Sequence, residues 1–174
     1  MLDSPRIFAV DGPDGSGKTY WVEHNVFDSK YIHMIPFSRR WSVRKTFVGG
    51  LFAEFTMGVE RFVNSWRARI LARWNTVVMD RCFIAGEVYA SFWDEKFKTK
   101  WFGRICRFWN WTIYKPWTIL IFVPSPGKAK PRKAYTDMDI QELSHRYPLI
   151  LSGYGYSIRG EVEYNFGVVQ TWRR

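Results

Sequence analysis

Directly behind a short apolar run ending at Val10, the chain carries Gly12-Pro13-Asp14-Gly15-Ser16-Gly17-Lys18-Thr19. The spacing Gly-x-x-x-x-Gly-Lys-Thr constrains the fold more than any other feature, because such a loop needs a strand to deliver it and a helix to receive it. Glycines let successive backbone N–H groups turn inward around a phosphate, and the following helix adds its positive N-terminal end. In this pattern the lysine places a point charge on the β- and γ-phosphates, and the Thr hydroxyl ligates Mg²⁺. Gly12, Gly15, Ser16, Gly17, Lys18 and Thr19 are therefore the expected nucleotide-binding residues, with ATP and Mg²⁺ the expected cofactors.

The loop interior, Asp11-Gly-Pro-Asp-Gly-Ser-Gly-Lys-Thr19, resembles that of thymidylate kinases: an acid, Gly, x, Asp or Glu, Gly, x, Gly, Lys, Ser or Thr. In that family the mid-loop acid reaches the acceptor sugar, which implies the same for Asp14; read alone, Asp14 is equally a loop-capping turn residue. A second motif, Thr76-Val-Val-Met-Asp80-Arg81-Cys82 with Tyr89 beyond it, reads as a buried strand ending in Asp-Arg. It is similar to the family's Asp-Arg-Tyr segment, with Cys82, Ala85 and Ala90 replacing the family's Tyr, Ser and Gln. Ligands of open α/β sheets sit beyond the carboxyl ends of strands. The resemblance thus implies Asp80 as a Mg²⁺ or acceptor ligand, Arg81 as a phosphate clamp and Tyr89 in the acceptor site. A structural ion pair is the alternative for Asp80 and Arg81.

Further along, Tyr31–Ile35 reads as a second strand, followed by the polar loop Ser38-Arg39-Arg40. There the family holds an acceptor-phosphate arginine, and Arg39 is the candidate. From Leu51 to Trp74, apolar residues recur at three- and four-residue steps, which predicts a long amphipathic helix with most of the stripe in the core. The family covers the acceptor base with an aromatic near the start of this helix, implying Phe52 or Phe55. A helix to about Asp94 is expected after Arg81. In the basic, aromatic stretch 96–115, the spacing of Trp101, Ile105, Phe108, Trp109 and Thr112 predicts one packed helical side. Trp117–Val123 reads as a central strand covered on both faces. Gly127–Lys133 follows as a basic loop within a lid-like segment at about 125–137. The family's lid implies catalytic cations there, with Arg132 preferred for its fork. Asp137–Arg146 reads as a helix that Pro148 ends or kinks. Alternation over Tyr154–Val168 predicts a β-hairpin, although 162–169 also suits a fifth parallel strand.

The expected architecture is one domain over 1–174, a three-layer phosphate-loop NTPase fold. It has about five parallel strands flanked by helices, with room for a C-terminal hairpin. The expected activity is transfer of the γ-phosphoryl of Mg·ATP to a (deoxy)nucleoside monophosphate, of the thymidylate-kinase type, in an unusual, viral-type member. A formal charge of +10 and 10 tryptophans keep two rivals open. One is a kinase acting on a nucleic-acid hydroxyl, at a 5′ end or a hydroxymethylated base. The other is an ATP-dependent nucleic-acid-binding protein with no kinase activity. Cys82 and Cys106 lack metal-ligand spacing, and Met1–Pro5 is no signal peptide, which implies a reduced cytoplasmic setting. No apolar run spans a membrane, and a homodimer is compatible with the sequence.

Overall fold

The computed structural model describes residues 7–25, 30–33, 46–126 and 136–174. In chain order the elements are β1 (Ile7–Asp11), α1 (Lys18–Asn25), β2 (Lys30–His33), α2 (Phe47–Leu71), β3 (Val77–Asp80) and α3 (Phe83–Lys96). These are followed by α4 (Trp101–Thr112), β4 (Thr118–Pro124), α5 (Asp137–Gly153), β5 (Ser157–Tyr164) and β6 (Gly167–Arg173).

One six-stranded sheet runs β2-β3-β1-β4-β6-β5. β1 pairs in parallel with β3 and β4, and β2 with β3. β6 then runs antiparallel to β4, and β5 antiparallel to β6. The sheet is therefore mixed, which overturns the expected all-parallel arrangement of about five strands. The reason lies in the tail: α5 supplies the crossover that lets β5 run in the direction of β4, but β5 turns back at Asn165-Phe166, and so short a turn joins only antiparallel strands. The returning β6 then takes the place beside β4. Arg159 and Gly160 lie inside β5, where the register against β6 shifts between Ile158 and Gly160.

The pleat of β1 divides the core. Ile7 and Ala9 join Val77, Met79, Ile119 and Ile121 under α3 and α5, whereas Val10 faces α1 with Val22, Val78, Phe122 and Val169. Alternate residues of a strand point to opposite faces. α5 continues through Pro148 to Gly153, so the proline does not end it. A proline removes one helical hydrogen bond, but Leu143, Tyr147 and Leu151 are all fully buried against the sheet and hold both turns in place. Thr136 and Asp139 close the start of α5 with a capping box, Asp139 Oδ2 accepting from the Thr136 N–H at 2.8 Å. Among the described residues no helix is long and apolar enough to cross a membrane.

α2 reverses the expected polarity. Its inward face is Gly50, Ala53, Glu54, Met57, Gly58, Arg61, Ser65 and Ala68. Its apolar stripe, Val48, Phe52, Phe55, Val59, Val63, Trp66 and Ile70, is exposed. The cause is close approach of the neighbouring helices. A Cβ on Gly58 would lie 2.1 Å from Trp109 of α4, and one on Gly86 of α3 would lie 1.2 Å from Arg61 Nη1. Small inward residues make room for these partners, so bulk is left on the outside. Arg61 is fully buried, ion-paired with Glu54 at 3.7 Å and donating through Nε to the Met57 carbonyl at 3.3 Å.

α4 is also rotated from its expected face. Phe102, Gly103, Cys106 and Asn110 are buried, while Trp101 and Phe108 are exposed and Trp109 packs against Phe55 and Phe62. The Asp94 carboxylate accepts from the N–H groups of Phe102 and Gly103 at 2.9 and 2.8 Å. That tie fixes the start of the helix and turns Phe102 inward.

Candidate phosphate-binding site

β1 ends at Asp11 and α1 begins at Lys18, so the loop between them sits above the carboxyl end of the sheet. Gly12, Gly15 and Gly17 have φ of 136°, 78° and 77°, a region open to glycine at no steric cost. Gly12 also has no room for a side chain, since a Cβ would lie 2.4 Å from the Phe122 carbonyl oxygen.

Lys18 folds back over this loop. Its ammonium donates to the carbonyls of Gly12 at 3.0 Å and Pro13 at 2.7 Å and to Ser16 Oγ at 3.2 Å. Burial, helped by the nearby Arg81 charge, lowers its pKa to about 8, against the pull of Asp14, Asp11 and Asp80. Thr19 is exposed one residue further into α1, and Ser16 is buried.

Asp11 anchors the site from below. It is fully buried, and its Oδ1 accepts from the Gly12 N–H at 2.8 Å and from the Tyr147 hydroxyl at 2.9 Å. Its Oδ2 accepts from the Cys82 N–H at 3.0 Å and from the Cys82 thiol at 3.2 Å. Those donors compensate a buried carboxylate for the water it has lost. Burial, reinforced by Asp11, pushes the Cys82 thiol well up, so Cys82 is a packed, protonated residue rather than a reactive one.

Arg81 connects the loop to β3. Its guanidinium forms an ion pair with Asp14, donates to the Gly12 carbonyl at 3.3 Å, and lies 3.7 Å from Asp11 Oδ1. Its Cζ sits 5.2 Å from the centre of the Tyr89 ring, a cation–π arrangement. Burial pushes the Tyr89 hydroxyl up to about 12 despite the opposing charge of Arg81. Arg81 has φ 68°, a conformation that non-glycine residues rarely adopt and that recurs at functional sites. Asp80 ends β3, in register with Val10 of β1.

On the other side, the turn of the β5–β6 hairpin rests on the loop. The Tyr164 hydroxyl donates to the Ser16 carbonyl at 2.6 Å. A Cβ on Gly17 would lie 3.0 Å from the Phe166 ring, which also stands edge-on to Tyr20 at 6.3 Å.

The tertiary structure thus gathers Gly12, Asp14, Gly15, Ser16, Gly17, Lys18, Arg81 and Tyr89, with Asp80 and Thr19 at the margins. Phe52 and Phe55 lie instead on the outward stripe of α2, Phe55 edge-on to Trp109 at 5.3 Å. Arg39 and Arg132 are outside the described residues. Sequence reasoning gave no role to Asp11, Tyr147, Tyr164 or Phe166. Asp11 was visible as the acid at the end of the first strand. The two tyrosines had no local signal, for they reach the loop from 136 and 148 positions away.

Thr19 at the start of α1 and Asp80 at the end of β3 bring side-chain oxygens to the margins of the loop, and a Mg²⁺ carried by substrate phosphates would need only one or two from the protein. Among the described residues no group of three or more His, Cys, Asp or Glu side chains could hold a metal unaided. No protein-family model matches the chain, and a search of curated proteins found no match to its sequence.

Proposed function

We propose that this chain is a phosphotransferase that moves the γ-phosphoryl group of Mg·ATP to a nucleoside monophosphate, in the manner of thymidylate kinases, acting on free nucleotides in the cytoplasm. The observation that carries this reading is the Asp14–Arg81 ion pair, which ties the phosphate loop to the end of β3 across 67 positions. It supports a donor half and an acceptor half meeting at one point. In this reading, phosphates displace the carbonyls and hydroxyl now held by the Lys18 ammonium, and that charge moves onto the β- and γ-oxygens. Thr19 and Asp80 would hold Mg²⁺, which supplies charge neutralisation across the transferring phosphoryl group. Arg81 clamps the acceptor phosphate, and Asp14, released from Arg81, accepts a hydrogen bond from the acceptor sugar. Positioning and fixed positive charge supply most of the rate in such transfers.

A second reading, transfer to a hydroxyl of a nucleic acid, is favoured by α4. Trp101 and Trp111 are 52% and 87% exposed, and Arg104 lies 5.2 Å over the Trp101 ring, a surface suited to stacked bases. One experiment tests both: transfer of labelled γ-phosphate from ATP to dNMPs, NMPs, nucleosides, oligonucleotide 5′ ends and hydroxymethylated DNA. Label on a dNMP supports the first reading and label on the polymer the second. ATP binding with no transfer to any acceptor would remove both.

A further inference from the structure

We propose that the outward face of α4, with the pocket at its start, binds single-stranded nucleic acid, its rings stacking on bases and its cations holding phosphates. That partner rests on the second reading above, and α4 holds it whether or not it accepts the phosphate. Trp101, Arg104, Phe108 and Trp111 follow one another at steps of three, four and three residues, which places them on one side of a helix. All four are exposed, Phe108 at 64% and Trp111 at 87%. Phe102, Gly103, Cys106 and Asn110 on the opposite side are buried, so α4 packs without these rings. Arg104 lies 5.2 Å over the Trp101 ring, yet Trp101 stays 52% exposed. From Trp101 to Trp111 the face runs about 15 Å along the helix axis, a row of ring, cation, ring and ring.

Charge selects the occupant. α4 contains no acidic residue. At its start lies a cavity of about 430 Å³ whose walls include Lys98, Lys100, Trp101 and Arg104, with Asp94 and Glu95 beside them. Both acids are already engaged. Asp94 accepts from the N–H groups of Phe102 and Gly103, and Glu95 accepts from Arg146 at 2.7 Å. Lys98, Lys100 and Arg104 have no ion-pair partner among the described residues, so the cavity sets three uncompensated cations around an open indole. Lys98 sits at φ 50°, in the left-handed position that closes α3 and where glycine is the usual residue. A lysine there bears a steric cost that glycine would escape, and it adds an ammonium to the cavity wall. A cavity of this size suits one small ligand, here a single nucleotide unit, with the strand continuing over Phe108 and Trp111. Rings that stack on bases, interleaved with cations that track the backbone, hold single strands without sequence preference. A lipid surface fits less well. An interfacial helix keeps its cations on the face away from its apolar side, whereas Arg104 stands among the rings. A duplex offers the same phosphates but keeps its base faces stacked on one another, out of reach of Trp101 and Trp111.

The test is fluorescence anisotropy of fluorescein-labelled oligothymidylate titrated with the full chain, without ATP, over a range of salt. Log affinity is expected to fall against log salt with a slope of about −2, from ~0.7 for each phosphate met by Lys98, Lys100 and Arg104. Arg107, 3.7 Å from Glu87, is not counted. Trp101→Ala and Trp111→Ala should each weaken the complex about tenfold or more, and Trp111→Phe should restore most of the loss, because either ring can stack. Lys98→Gln/Lys100→Gln should bring the slope to about −0.7. These side chains are exposed, and circular dichroism checks that each variant folds. A duplex of the same length should bind more weakly and be indifferent to the tryptophan substitutions. No binding of the strand by wild type at low salt, strand binding indifferent to both alanine variants, or equal binding of strand and duplex would each overturn the proposal. So would tryptophan-dependent binding of phosphatidylglycerol vesicles in place of the strand, which would give the face to a membrane surface. Tryptophan-dependent strand binding with no label reaching the strand in the transfer assay would keep this face and remove the second reading. Label on a strand whose binding ignores the tryptophans would do the reverse.

Discussion

Arg81 offers the sharpest separation of structure from function, because its backbone and its side chain make opposite demands. At φ 68° an L-residue bears a steric cost of about 1–2 kcal/mol that glycine escapes. Its guanidinium meanwhile holds Asp14, the Gly12 carbonyl and the Tyr89 ring together. Arg81→Ala keeps the backbone cost and loses every side-chain contact. Breaking a buried pair costs about 3–5 kcal/mol, and since Arg81 and Asp14 are 19% and 20% exposed, about 2–3 kcal/mol is expected here. Arg81→Gly loses the same contacts but relieves the backbone, so it should be more stable than Arg81→Ala by about 1 kcal/mol, or roughly 2–4 °C in Tm. Under the proposed activity both variants should lose about 10²–10³ in turnover, since the missing charge is the same. Urea unfolding followed by tryptophan fluorescence gives the first comparison, and labelled-phosphate transfer the second. An alanine variant as stable as the glycine variant would refute the backbone argument. Near-normal turnover in either would remove Arg81 from the reaction.

Three further outcomes follow from the same geometry. Lys18→Met should abolish transfer and yet stabilise the fold at neutral pH. The folded-state pKa of about 8 lies below the ordinary 10.5, so burying the ammonium costs roughly 3 kcal/mol below pH 8, and this cost fades between pH 8 and 10.5. The stability gap between variant and wild type should close across that window, and a gap independent of pH would contradict it. Asp14→Ala should raise the acceptor KM or lower turnover by about one to two decades, from loss of a hydrogen bond worth about 1.5–3 kcal/mol, with ATP affinity largely retained; unchanged acceptor kinetics at saturating ATP would leave Asp14 a loop residue only. Tyr164→Phe removes the donor to the Ser16 carbonyl, and should cost about 1 kcal/mol of stability and raise the KM for ATP more than it changes kcat, measured by initial rates.

Local pattern determined the parts of this protein whose chemistry is confined to a few neighbouring residues. The phosphate loop was legible because its glycines, lysine and threonine must be adjacent to wrap a phosphate. β3 and β4 were legible because a strand covered on both faces is a continuous apolar run. Periodicity located α2 as well, but it reports only that one side differs from the other. Which side faces inward was decided by the volume left beside Trp109 and Arg61, a property of three helices at once. The direction of the last strand likewise depended on how little chain joins β5 to β6. The buried support of the loop was the least legible part. Asp11 acquires its role only when Tyr147 and Cys82 arrive from distant elements, and Ser16 is held only when the hairpin turn brings Tyr164 across. A hydrogen bond between residues more than a hundred positions apart leaves no spacing to read, since only the packed sheet brings its ends together.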